Sequence, residues 1–96
     1  MKIIWREKVS DDLDAIYNYI MLDSPKNAVM VFNKIYDLVN SLVIFPERYP
    51  VDRSVNDPYV RFAVLWNYKI VYSIENNTII ILRVFSTRQH PKKLNP

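Results

Sequence analysis

Apolar positions in the first half of the chain recur every three to four residues, and in the second half every two. Leu13, Ile16, Tyr17 and Ile20 keep the helical spacing, so an amphipathic helix is expected to run to about Leu22. Ser10 reads as its N-cap, with Asp11, Asp12 and Asp14 in the first turn, where the helix dipole favours negative charge. Asp23-Ser24-Pro25 breaks the pattern and restarts it, with Ser24 as cap and Pro25 as first helical residue. The second helix is expected to reach about Phe45, roughly 30 Å at 1.5 Å per residue, where Pro46 stops it. Ala28, Phe32, Ile35, Val39 and Leu42 form one stripe on it, and Val31, Leu38 and Phe45 a second. The arc is wider than one sheet face requires. It is read either as packing on both the first helix and the sheet, or as a partner helix lying in a groove, with Val31, Leu38 and Phe45 as the contact residues.

From Tyr59 the period changes to two. Tyr68, Ile70, Tyr72 and Ile74 alternate with Lys69, Val71, Ser73 and Glu75. Asn76-Asn77 follows in a chain that has no glycine, and asparagine tolerates positive φ, so a two-residue hairpin is expected there. That count sets Glu75 opposite Thr78 and Lys69 opposite Val84. Ser86 and Arg88 then share the face of Lys69, while Arg83 falls on the other and reaches solvent near the sheet edge; one bulge would reverse this. An earlier strand from Tyr59 to Val64 directs Val60, Phe62 and Val64 to the core and Arg61 outward. A short strand, Lys2 to Arg6, precedes the helices. Between Pro46 and Pro58 three prolines (Pro46, Pro50, Pro58) exclude a helix. The order is β-α-α-β-β-β, an α+β fold in which a helical hairpin packs on one face of a curved antiparallel sheet. The other face stays partly open and carries cations.

Ninety-six residues make one domain, 1–96, with half of them hydrophobic. No cysteine means no disulfide and no thiolate chemistry, and the absence of glycine excludes a glycine-rich phosphate loop. The three Asp residues of the first turn are read as cap and dipole partners, and no metal or cofactor is expected. Apolar runs are too short for a membrane span or signal peptide, so a cytoplasmic protein is expected. The net charge of +3 is uneven. Residues 1–50 carry six basic and seven acidic groups, whereas from Arg61 onward Arg61, Lys69, Arg83, Arg88, Lys92 and Lys93 face one acid, Glu75. Such a basic, aromatic segment suits a polyanion, or is simply a solvated sheet face.

The order of elements and a set of short patterns resemble the RelE/ParE superfamily of toxins from bacterial type II toxin–antitoxin modules. The patterns are Asp12-Leu13-Asp14-Ala15-Ile16-Tyr17-Asn18-Tyr19-Ile20, Ser24-Pro25-Lys26-Asn27-Ala28, Leu42-Val43-Ile44-Phe45-Pro46, Arg61, Asn67-Tyr68-Lys69-Ile70-Val71-Tyr72 and Ile81-Leu82-Arg83-Val84-Phe85-Ser86-Thr87-Arg88. The resemblance implies a toxin neutralised by a cognate antitoxin, as a hetero-oligomer or with a homodimer. A ParE-like member poisons DNA gyrase. A RelE-like member cleaves mRNA on the ribosome without a metal, and Arg61, Lys69, Arg88 and His90 are then the candidates for stabilising the phosphorane-like charge and moving protons. Lys69 stands where RelE-like members often carry arginine, and lysine lacks the bidentate fork. His90, before Pro91, also reads as an extended surface residue. The long second helix and short tail look more like the ParE branch, and a remnant that only binds antitoxin is a third reading. Arg83 joins Val31, Leu38 and Phe45 as an expected partner contact.

Overall fold

In the computed structural model, which describes residues 1–88, the elements are β1 (Lys2–Trp5), α1 (Glu7–Met21), α2 (Pro25–Ser41), β2 (Val60–Leu65), β3 (Tyr68–Glu75) and β4 (Thr78–Ser86). The two helices cover one face of a four-stranded sheet of order β1-β4-β3-β2. The expected α+β order is observed, with one difference in direction. β2, β3 and β4 are antiparallel, but β1 adds to the outer side of β4 in parallel, Lys2 opposite Thr78 and Trp5 opposite Ile81. The helical hairpin, the connection after it and the β2–β3 hairpin all lie between β1 and β4, far more chain than the dozen or so residues that parallel pairing requires.

The helix ends differ from the spacing argument. α1 begins at Glu7, three residues before Ser10, with Arg6 as N-cap and no side-chain cap. The Arg6 amide donates to the Ile81 carbonyl at 3.2 Å, so the last turn of pairing with β4 passes straight into the helix. Ser24 caps α2 as expected, its hydroxyl accepting from the Asn27 amide at 3.2 Å. α2 stops at Ser41 rather than Phe45. The Ser41 hydroxyl donates to the Leu38 carbonyl, and tight bonds from Leu42 to Val39, Val43 to Asn40 and Ile44 to Ser41 wind the chain into turns before Pro46.

Val9, Leu13 and Ile16 of α1 and Val31, Ile35 and Val39 of α2 pack with Ile70, Tyr72, Ile79, Ile81 and Val84 of the sheet. An aromatic run, Trp5–Tyr36–Phe32–Tyr17, with centroid spacings of 4.8, 5.0 and 5.5 Å, lies beside them. Tyr72 is fully buried, and its hydroxyl donates to the Pro46 carbonyl at 2.7 Å, fixing the long connection to the sheet. Burial drives the Tyr72 phenol up to about 12.

The Asn76-Asn77 turn forms as expected, with φ of 49° and 58°, and Glu75 opposes Thr78. A bulge on β4, between the partners of Val71 and Tyr72, then shifts the register, so that Lys69 faces Phe85 instead of Val84. Ser86 consequently pairs with Tyr68 on the helix-covered face, and the expected sharing of one face by Lys69 and Arg88 fails. β2 is also turned over. Arg61, Ala63 and Leu65 oppose Tyr72, Ile70 and Tyr68, so Arg61 points to the helix side and Phe62 and Val64 to the other.

Candidate functional site: a groove at the uncovered part of the sheet edge

β1 is only four residues long and covers β4 from Thr78 to Ile81. Beyond that point the edge of β4 has no strand beside it among the described residues. α1 comes in here, and Asp12 closes the edge with its carboxylate. One oxygen accepts from the Val84 amide at 3.0 Å and from Arg83 Nε at 2.8 Å; the other accepts from Arg83 Nη2 at 3.1 Å. The bond from Asp12 raises the affinity of the Arg83 guanidinium for its proton, against some loss from burial. The sequence marks Asp12 as a dipole partner in the first turn; with α1 starting at Glu7 it lies in the second turn and acts as a strand-edge cap instead.

Beside this knot a groove of about 1080 Å³ runs between the helical hairpin and the ends of β3 and β4. Ile16, Ile20 and Val31 form its floor, and Tyr19, Met30, Trp66 and Tyr68 stand along it. Tyr19, Met30 and Trp66 are exposed. Burial raises the Tyr68 phenol, the nearby Tyr19 adds to this, and Arg88 pulls against both.

The sequence-predicted cations are not brought together. Arg61 Nη1 donates to the Tyr49 carbonyl at 2.6 Å and to that of Glu47 at 3.4 Å, pinning the connection. Lys69, on the opposite face, pairs with Asp52 at 3.0 Å and lies 4.8 Å from the centre of the Phe62 ring. Burial pushes the Asp52 carboxyl up, but the Ser54 hydroxyl and amide together with Lys69 outweigh this and hold it below its ordinary value. Arg88 lines the groove, and His90 lies outside the described residues. A metal-free phosphodiester site needs its proton acceptor and cations converging on one phosphate; Arg61 and Lys69 are separated by the sheet.

The expected contact stripe also divides. Val31 is buried in the core and borders the groove, Leu38 is half-buried against the core, and Phe45 lies beyond the helix and is exposed. Arg83 lines the groove with its guanidinium committed to Asp12. The sequence carries no site signal at Asp12, Asp52, Trp66 or Tyr68. Tyr19 alone carried a signal, a large aromatic on the outward side of an amphipathic helix.

No helix among the described residues is long and apolar enough to cross a membrane. Residues 3–91 match the family described as the ParE toxin of the type II toxin–antitoxin system parDE. The fold is similar to a chain of a solved structure titled as the chromosomal ParDE toxin–antitoxin system from P. aeruginosa, with a TM-score of 0.73, 29% identity, and coverage of 90% of this chain and 95% of that one. Among curated proteins no sequence relative matches. With the family match spanning nearly the whole chain and the same helical hairpin on the same sheet, this protein belongs to the ParE toxin family of type II toxin–antitoxin systems.

Proposed function

We propose that the protein inhibits DNA gyrase in the cytoplasm and is neutralised by a cognate antitoxin, a segment of which fills the groove between the helical hairpin and the sheet. The observation that carries the choice of target is the separation of Arg61 and Lys69. Each is tied to a structural partner on its own face of the sheet, which leaves the ribosome-dependent nuclease reading without a converged cationic site. The groove supports the antitoxin reading: its floor is apolar, exposed aromatic side chains border it, and the adjoining strand edge is already capped by Asp12.

The test is a pair of reconstituted assays with the purified toxin. Gyrase supercoiling of relaxed plasmid is expected to fall, with cleaved DNA accumulating, and added antitoxin is expected to restore it. In a translation extract, mRNA is expected to stay intact. Cut mRNA with unaffected gyrase would establish the nuclease instead, and no effect in either assay would leave a remnant that only binds antitoxin.

A further inference from the structure

The turn between β2 and β3 has a conformational oddity. It is a two-residue loop, Trp66-Asn67, and Trp66 has φ of 56°. Positive φ at the first loop position is usual for glycine, and the other hairpin of this chain meets its own positive φ with two asparagines. A bulky aromatic residue there is strained, and such strain is characteristic of functional positions. The indole is not being hidden by this arrangement, since Trp66 is 54% exposed at the groove.

The same turn is tied to the end of β4. The Asn67 carbonyl accepts from the Thr87 amide at 2.7 Å and the Thr87 hydroxyl at 3.0 Å, and Asn67 Nδ2 donates to the Ser86 hydroxyl at 3.1 Å. That hydroxyl also accepts from the Arg88 amide at 3.3 Å. Trp66 and Arg88 therefore leave one braced corner, with Tyr68 beside them and Tyr19 of α1 across the groove. The indole N–H and the guanidinium are donors only, and each phenol has a hydroxyl to give. None of these four side chains has a hydrogen-bond partner among the described residues. The nearby Asp12 carboxylate is already occupied by Arg83 and the Val84 amide.

We propose that Trp66, Tyr19, Tyr68 and Arg88 form the specificity-determining rim of the groove and receive an aspartate or glutamate side chain of the antitoxin segment, with the indole packed over its aliphatic stem. The inference rests on the groove being the antitoxin seat. A braced, donor-rich corner selects a carboxylate because an uncharged side chain there would leave the guanidinium without an anion after water is displaced. The hydrogen bonds around Asn67 fix the backbone that carries Trp66 before binding, which lowers the ordering cost of association.

The test measures the affinity of the full-length toxin for the full-length antitoxin encoded beside it, with thermal midpoints of the free toxins. Arg88→Gln is expected to weaken binding about tenfold and to flatten its salt dependence. Trp66→Gly is expected to weaken binding by about tenfold or more without lowering the midpoint of the free toxin, because glycine suits the positive φ. Changing antitoxin acidic residues one at a time to their amides is expected to find one whose loss costs affinity for wild-type toxin and not for Arg88→Gln. Met30→Asp, on the groove wall away from the rim corner, is the control for the seat. If it abolishes binding while Arg88→Gln and Trp66→Gly bind like wild type, the rim assignment is overturned and the groove stands. If Met30→Asp also binds like wild type, the groove reading fails. A lowered midpoint for Trp66→Gly would show the indole to be a packing residue and overturn its role as anchor.

Discussion

Replacing Asp52 by alanine tests whether the face away from the helices is held by one buried carboxylate. Its side chain is 4% exposed and accepts from Lys69 at 3.0 Å, the Ser54 hydroxyl at 2.6 Å and the Ser54 amide at 3.0 Å. Removing one partner of a buried pair costs about 3–5 kcal/mol. Lys69 is 20% exposed, so its ammonium reaches water, and Ser54 is at the surface; the lower figure, about 3 kcal/mol, is the expected loss. For a domain of this size that lowers the thermal midpoint by about 12 to 24 °C. Lys69→Met keeps an apolar stem beside Phe62 and leaves Asp52 its Ser54 bonds, and is expected to cost about 1–2 kcal/mol. The double variant is expected to regain about 1 kcal/mol over Asp52→Ala, since no ammonium is then left without its anion. The carboxyl titrates below its ordinary value of 3.8 in the folded protein, so its contribution is complete above that pH and is lost as pH falls through the folded value. Urea unfolding of the three variants between pH 7 and pH 2 reads both effects. An Asp52→Ala variant within about 1 kcal/mol of wild type at pH 7, or an acid limb as steep as the wild type's, would refute the reasoning.

Asp12→Ala removes the cap of the β4 edge and strands Arg83; a loss of about 2–3 kcal/mol is expected in urea unfolding, together with increased self-association by light scattering as the edge is uncovered. Tyr72→Phe leaves the Pro46 carbonyl without its donor and is expected to cost about 1–2 kcal/mol. Because the Tyr72 phenol is raised from 10.0 to about 12, its neutral form contributes stability that is complete below pH 10 and lost as pH rises toward 12, so the phenylalanine variant should lose less stability over that interval. Asn77→Val places a β-branched residue at φ of 58° and is expected to cost about 1–2 kcal/mol, whereas Asn77→Gly should stay within about 0.5 kcal/mol of wild type, as read by thermal midpoints.

Local chemistry alone determined much of this protein. Ser24-Pro25 set the start of α2, the period-two run set β3, and Asn76-Asn77 set a hairpin with Glu75 opposite Thr78, because capping, alternation and tolerance of positive φ act over a few residues. The order of elements and their resemblance to the toxin superfamily followed from the same short patterns. Only the tertiary structure decided which residues meet. One bulge on β4 moved Lys69 opposite Phe85 and turned Ser86 to the helix side, and nothing in the composition of that strand marks it. The face of β2 depended on its register with β3, which set Arg61 against Tyr72. The parallel placement of β1 depended on where the helical hairpin delivered the chain. Asp12 with Arg83 and Asp52 with Lys69 are pairs distant in sequence, and a carboxylate in a helix's first turns or in a loop carries no mark of the cation it will meet. The groove and its rim exist because β1 ends after pairing with Thr78–Ile81 and α1, rather than another strand, meets the next stretch of β4 through Asp12, a matter of lengths and packing directions across the whole fold.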